Sequence, residues 1–90
     1  MLYRVKLHRG VVKYLDRMDP KTRERIKSAL RMLAENPYES RPGVDIVRLA
    51  GTKGRQDLYR LRVADYRAIY AIESRVVYVT DLFHRGKGYD

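Results

Sequence analysis

The sequence contains no cysteine, and histidine occurs only at His8 and His84. Without thiols the chain has no disulfide scaffold, no thiolate metal site and no cysteine nucleophile, and two histidines argue against a histidine-rich metal centre. Its apolar runs are only a few residues long, so none is expected to span a membrane, and no signal peptide precedes the first strand-like segment. We therefore expect a cytoplasmic protein that works without a metal or other cofactor.

Length and composition predict one globular domain. Ninety residues suffice for a single modest hydrophobic core and not for two. Hydrophobic residues make up 44% of the chain and charged residues 34%, a balance typical of folded proteins and not of disordered ones. We expect one domain over residues 1–90.

The charge balance is strongly basic. Twenty lysines and arginines stand against eleven aspartates and glutamates, which gives a net charge of +9, and fourteen of the twenty are arginine. Arginine is suited to bidentate phosphate contacts, whereas a merely soluble basic surface could use lysine equally well. The composition therefore favours a partner rich in phosphate, such as a nucleic acid. The other interpretation is the charge-dense surface of many thermophile proteins.

The periodicity of the sequence predicts the order β-α-α-β-β-β-β. Residues 2–8 alternate between apolar and polar, which is typical of a half-buried strand. A helical period begins at Val11, and a second helix begins at Asp19-Pro20, where an N-cap precedes a proline in the first turn. Four further strands are predicted at 44–49, 57–63, 66–73 and 76–83. This order indicates an α+β fold, in which an antiparallel helical hairpin packs on one face of the sheet and the last four strands form an antiparallel meander.

Two-residue turns at 64–65 and 74–75 would set the register of this meander. Arg62 then lies directly opposite Arg67, and Arg67 opposite Leu82. One face of the sheet is almost wholly apolar and must lie under the helices; it carries Tyr59, Leu61, Val63, Tyr66, Ala68, Tyr70, Ile72, Val77, Val79 and Phe83. The opposite face carries Arg60, Arg62, Arg67, Ile69, Ala71, Tyr78 and Leu82, with Arg85 just beyond its end.

We expect an arginine cluster that destabilises the folded protein; it consists of Arg60, Arg62, Arg67 and Arg85. Like charges directly opposite on one sheet face destabilise it by about 0.2–1 kcal/mol per pair. One interpretation is a solvated polar face on which the long side chains splay apart. The other is a preorganised anion site, in which a bound phosphate supplies the missing negative charge.

Three segments of the sequence resemble a known family. They are Asp57-Leu58-Tyr59-Arg60-Leu61-Arg62, Asp65-Tyr66-Arg67-Ala68-Ile69-Tyr70, and the terminal His84-Arg85 with Tyr89. Together with the element order they resemble the RelE/ParE toxin superfamily, in particular archaeal RelE-like toxins, over essentially the whole chain. The resemblance implies the toxin of a type II toxin–antitoxin system. Such a toxin enters the ribosomal A site and cuts mRNA there, until a RelB-like antitoxin, acidic and helical, wraps and neutralises it.

The resemblance also implies roles for individual residues. Arg67 matches the arginine that contacts the scissile phosphate, and Arg85 matches the arginine beside the leaving group. Arg60 and Arg62 match basic strand residues that are often lysine in relatives, and Tyr89 matches a tail tyrosine that activates the attacking hydroxyl. Further contacts with RNA are expected at Arg48, Lys53, Arg55, Lys87 and Tyr78.

The reaction implied is attack of an RNA 2′-hydroxyl on its own 3′-phosphate, which leaves a 2′,3′-cyclic phosphate and a 5′-hydroxyl and requires no metal. The general base stays open between Tyr89 and His84, because the guanidinium groups of Arg60 and Arg62 cannot give up a proton near neutral pH. Three other functions stay open as well: a ParE-like toxin that poisons DNA gyrase, a non-catalytic nucleic-acid-binding module, and a degenerate toxin retained only as a partner for its antitoxin.

Overall fold

The computed structural model describes residues 2–49 and 57–86. Its elements follow the predicted order, and each lies within a few residues of its expected place. They are β1 Arg4–Leu7, α1 Arg9–Asp16, α2 Pro20–Met32, β2 Asp45–Leu49, β3 Leu58–Val63, β4 Tyr66–Glu73 and β5 Val76–His84. The α+β prediction is confirmed. Within these residues no helix is long and apolar enough to cross a membrane.

The five strands form one mixed sheet in the order β1-β5-β4-β3-β2. Strands β2 to β5 make up the predicted antiparallel meander, and the turn at 64–65 sets the predicted pairing of Arg62 with Arg67. Strand β1 pairs in parallel with β5, a neighbour that the sequence pattern did not specify. Parallel pairing within a sheet requires a long crossover connection. The connection here comprises α1, α2 and strands β2 to β4, and its two helices carry the chain from the β1 edge of the sheet to the β2 edge.

Local hydrogen bonds explain where α2 begins and ends. At its start, Oδ2 of Asp19 accepts a hydrogen bond from the Thr22 N–H at 3.0 Å, which lowers the pKa of this carboxyl group. At its end, the Arg41 guanidinium donates to the carbonyl oxygen of Met32 at 2.8 Å and to two carbonyl oxygens of the following loop at 2.7 and 2.9 Å. Arg41 thereby satisfies carbonyls that lack helical partners and fixes the loop that leads into β2.

The hydrophobic core lies between the two helices and one face of the sheet. It contains Val11, Leu15, Ile26, Leu30, Leu33, Val44, Ile46, Leu61, Val63, Ala68, Tyr70, Val77 and Val79. Tyr70 is the largest fully buried side chain, and its hydroxyl donates to the carbonyl oxygen of Pro37 at 2.7 Å. Burial raises the pKa of this hydroxyl. The helices leave the other side of the sheet uncovered, and we call that side the open face.

A β-bulge in β5 changes the predicted alignment of the last two strands. Tyr70 lies opposite Val79 but Ile69 lies opposite Asp81, so Thr80 is an extra residue in β5. One extra residue inverts the alternation of every side chain beyond it. The predictions that Leu82 lies opposite Arg67 and that Phe83 lies under the helices are therefore wrong. Leu82 lies opposite Ala68 and packs against the core, and Phe83 lies opposite Arg67 on the open face.

Candidate active site

Two cross-strand rows on the open face carry most of the arginine cluster. The first row runs Asp45, Arg62, Arg67, Phe83, and the second runs Val47, Arg60, Ile69, Asp81. The predicted juxtaposition of Arg62 and Arg67 is confirmed, because the turn at 64–65 leaves these two arginines directly opposite each other. Arg60 lies two residues before Arg62 on β3, so both side chains project from the same side of the sheet.

The positive charges of the other three cluster arginines act on Arg67. The pKa of Arg67 is lowered, first by partial burial and then by the positive charges of Arg60, Arg62 and Arg85. A lowered pKa means that the charged form of Arg67 is disfavoured where it stands. An anion bound beside Arg67 would relieve both the repulsion by the neighbouring charges and the cost of its burial.

Carboxylates of the same chain offset only part of this charge. Nε of Arg62 lies 3.0 Å from Oδ2 of Asp45, and Nη1 of Arg85 lies 3.9 Å from Oδ1 of Asp65. Both pairs are about half exposed or more, and such surface pairs contribute little to stability. A phosphate group can therefore displace them at small cost.

Arg60 and Arg67 have no carboxylate within 4.0 Å among residues 2–49 and 57–86. The Arg67 guanidinium donates only to the carbonyl oxygens of Tyr66 and Ala64, at 3.2 and 3.4 Å. Nε of Arg60 is buried, and the described part of the chain offers it no hydrogen-bond acceptor. A buried donor without an acceptor is destabilising and favours a ligand that supplies one.

A backbone contact holds Arg85 beside the cluster. The Arg85 N–H donates to the carbonyl oxygen of Asp65 at 2.6 Å, so the segment after β5 is tied to the turn between β3 and β4. Arg62 and Arg85 also line one groove, which continues to Arg25 on α2. The turn that brings Arg62 opposite Arg67 thus also places Arg85.

The structure places His84 on the other side of the sheet from the arginine cluster. Its ring packs edge-on against Tyr66 at a centroid distance of 5.1 Å, and Tyr66 in turn packs against Tyr14 of α1. Its Nδ1 lies 2.8 Å from the carbonyl oxygen of Arg85. The structure therefore does not bring His84 to the arginines, although His84 and Arg85 are adjacent in the sequence.

The remaining expected RNA contacts are divided between the two sides of the sheet. Tyr78 lies on the open face opposite Ala71, in a more apolar row beyond Arg60, and is 37% exposed. Arg48 lies opposite Tyr59 on the side of the helices, and Asp57 neutralises it through contacts of 2.7 and 3.0 Å that raise the pKa of Arg48. Four expected site residues lie outside the described residues: Lys53, Arg55, Lys87 and Tyr89.

Two carboxylates of the open face were missing from the sequence-based site, Asp45 and Asp81. Asp45 was missed because the eight residues 50–57 separate β2 from β3, and a connection of that length does not define a register. Asp81 was missed because of the bulge. A signal for it exists, since an aspartate at 81 and a leucine at 82 interrupt the inward apolar alternation that Val77 and Val79 begin.

Comparison with known proteins identifies the family. The family model described as ParE toxin of type II toxin-antitoxin system, parDE, matches residues 5–89. The chain belongs to this family. The resemblance to the RelE/ParE toxin superfamily inferred from the sequence is thereby confirmed.

Individual relatives of this ParE-family toxin carry RelE names. A Methanocaldococcus jannaschii protein with the name "Putative toxin RelE1" is 28% identical over 91 residues, which cover 99% of this chain and 97% of the relative. A chain in the crystal structure of the archaeal RelE–RelB complex from Pyrococcus horikoshii is 37% identical, with a TM-score of 0.80 over 98% of this chain and 100% of that one. The RelB–RelE complex from Methanococcus jannaschii contains a chain with the same fold, at a TM-score of 0.62, 22% identity and 87% coverage of each chain.

Proposed function

We propose that this toxin is an endoribonuclease that cuts mRNA in the ribosomal A site and so inhibits translation. The observation that carries the proposal is the arginine cluster, with Arg60, Arg62 and Arg67 on one open sheet face and Arg85 just beyond the end of β5. Two of them, Arg60 and Arg67, have no carboxylate partner among the described residues, and the pKa of Arg67 is lowered first by burial and then by its positive neighbours. Such a patch suits the phosphodiester of a single RNA strand, where charge develops during cleavage.

The proposed reaction is an in-line attack within the RNA itself. The 2′-hydroxyl loses its proton and forms a bond to the adjacent phosphorus, and the bond from phosphorus to the 5′-oxygen breaks. Arg67, Arg62 and Arg60 would neutralise the charge that develops on the non-bridging oxygens, and Arg85 would stabilise the leaving 5′-oxygen, which takes a proton from water. Removal of one such preorganised donor typically lowers the rate about 10²- to 10³-fold.

We further propose a RelB-like antitoxin as the partner of this toxin. A chain 37% identical to it occurs in the archaeal RelE–RelB complex. The net charge of +9 would favour an acidic, helical partner, and neutralising the arginine cluster would silence the toxin.

Primer extension on mRNA in a translating extract tests the proposal. Wild-type toxin should produce new ends within codons, and Arg67→Ala and Arg85→Ala should each reduce their yield at least about 100-fold. Arg31→Ala is the matched control, because Arg31 lies on the exposed side of α2 and the substitution makes the same change of charge. Uncut message with the folded wild-type protein would end the nuclease proposal, and binding to message without cutting would favour a non-catalytic module.

A second candidate is poisoning of DNA gyrase, which the ParE name of the matched family favours. The discriminating assay is supercoiling by purified gyrase with and without the toxin. We expect no trapped DNA cleavage complex, because the arginine cluster suits chemistry on RNA. Gyrase-dependent DNA breaks together with intact mRNA would decide for the second candidate.

A further inference from the structure

The bulge at Thr80 brings a carboxylate to the open face. Asp81 lies opposite Ile69, in the same cross-strand row as Arg60. Two contacts support this placement: the next residue, Leu82, packs against the core, and the Thr80 hydroxyl lies 3.0 Å from Oδ2 of Asp81. Neighbouring side chains on a regular strand point to opposite faces, so a contact between residues 80 and 81 indicates that the bulge has turned both to one side.

Asp81 therefore borders the arginine cluster. Ile69 separates it from Arg60 within the row, and Arg67 is its diagonal neighbour, since Arg67 lies opposite Phe83 two residues further on. Diagonal neighbours on adjacent strands are about 7–8 Å apart, within reach of long side chains. A phosphate held by Arg60 and Arg67 would thus lie on the same part of the open face as Asp81.

The other two carboxylates beside the cluster are engaged and Asp81 is not. Asp45 pairs with Arg62, and Asp65 pairs with Arg85. Asp81 accepts a hydrogen bond only from Thr80, and within residues 2–49 and 57–86 no cationic group lies within 4.0 Å of it. A carboxylate in this position repels a phosphate, so a face that only bound RNA would be better without it. Its presence points to a role in the reaction.

We propose that Asp81 is the general base of the cleavage reaction, an inference that rests on the proposed function. Oδ2 is held by the Thr80 hydroxyl, which leaves Oδ1 to accept the proton of the attacking 2′-hydroxyl. As that proton moves to Oδ1, the 2′-oxygen bonds to phosphorus, and the electron pair of the breaking bond leaves with the 5′-oxygen, which is protonated by water. Asp81 then returns its proton to solvent, and Thr80 is a positioning residue.

The other candidate bases among the described residues are less suitable than Asp81. A guanidinium group cannot act as a general base near neutral pH, which excludes the arginines of the cluster. His84 faces Tyr66 on the side of the helices. Among residues 2–49 and 57–86, Asp81 is the one carboxylate of the open face that both borders the arginine cluster and lacks a cationic partner.

The test measures single-turnover cleavage of mRNA on purified ribosomes by the full-length toxin. Asp81→Asn, which keeps the size of the side chain, should lower the cleavage rate about 10²- to 10⁴-fold. Its affinity for ribosomes carrying mRNA with a 2′-O-methyl group at the scissile position should stay within a few-fold of wild type. Glu73→Gln is the matched control, since Glu73 is an exposed carboxylate further along the open face and should cut at the wild-type rate.

Chemical rescue separates a base from a structural residue. Asp81→Gly should regain part of its cleavage rate in formate, a small carboxylate that can enter the vacated space, while Arg67→Ala should not. Equal cutting by wild type and Asp81→Asn would overturn the proposal. The proposal would also be overturned if Asp81→Asn lost affinity for ribosomes in parallel with its cleavage rate. It would be overturned as well if formate did not raise the cleavage rate of Asp81→Gly and a Tyr89→Phe variant no longer cut mRNA. A folded wild type that leaves every message intact would instead end the proposed function and this inference with it.

Discussion

Replacing Arg67 by glutamine should stabilise the free protein while it abolishes cleavage. Arg62 lies directly opposite Arg67, and the pKa of Arg67 is lowered first by burial and then by the charges of Arg60, Arg62 and Arg85. A like-charge pair directly opposite in a sheet is destabilising by about 0.2–1 kcal/mol, and the two more distant charges are weakened by solvent. Glutamine keeps an amide that can donate to the carbonyl oxygen of Tyr66, so we expect a net gain of up to about 1 kcal/mol.

For a domain of this size, a gain of about 1 kcal/mol corresponds to a rise in Tm of roughly 4–8 °C. The assay is thermal unfolding followed by circular dichroism at low salt and in about 1 M KCl, where the screening length is only about 3 Å. The gain should shrink as salt is added, because its origin is repulsion between charges. Arg31→Gln is the control, and we expect it to leave Tm nearly unchanged because Arg31 lies outside the cluster.

Two results would refute the reasoning behind this prediction. If Arg67→Gln melts at or below the wild-type temperature at low salt, the arginine cluster is not strained in the free protein. If it melts higher but by the same margin in about 1 M KCl, the gain does not come from charge. In either case the preorganised anion site would lose its energetic basis.

Two further predictions concern the core and the edge of the cluster. Tyr70→Phe should destabilise the protein by about 1–3 kcal/mol at neutral pH, because it leaves the Pro37 carbonyl without its donor. Burial raises the pKa of Tyr70, so above about pH 10 the unfolded chain loses this proton first and wild-type stability falls by about 1.4 kcal/mol per pH unit. The difference in unfolding free energy between wild type and Tyr70→Phe, measured by urea titration, should therefore shrink as the pH rises above about 10. A difference that stays constant with pH would contradict this prediction. Asp45→Asn should release Arg62 from its ion pair and so raise the affinity for non-cleavable RNA several-fold. An unchanged or lower affinity would contradict this prediction.

Local rules explain why much of the fold could be predicted. The Asp19-Pro20 pair marks the start of α2 because capping depends only on residues within one turn. The turns at 64–65 and 74–75 could be predicted from the length of the alternating segments, although neither contains glycine or asparagine. Their backbones adopt positive φ at Ala64, Ser74 and Arg75, which such turns require.

Features that depend on distant neighbours could not be predicted in this way. The bulge at Thr80 reverses the sides of Leu82 and Phe83, and only the partner strand reveals it. The pairing of Asp45 with Arg62 depends on a register between strands that no short turn connects. Arg60, Arg62 and Arg67 could be placed on one face because a short turn connects β3 to β4. The carboxylates around them emerged only from the structure.

The proposed mechanism requires that the arginine cluster hold an RNA phosphate while the neighbouring 2′-hydroxyl attacks it. The most direct measurement uses ribosomes programmed with an mRNA that carries a single 2′-deoxynucleotide on the 5′ side of the phosphate cut in the all-ribose message. We expect cleavage to vanish at that phosphate alone and the ends cut elsewhere to carry 2′,3′-cyclic phosphates. Undiminished cleavage at the deoxy position would contradict the account.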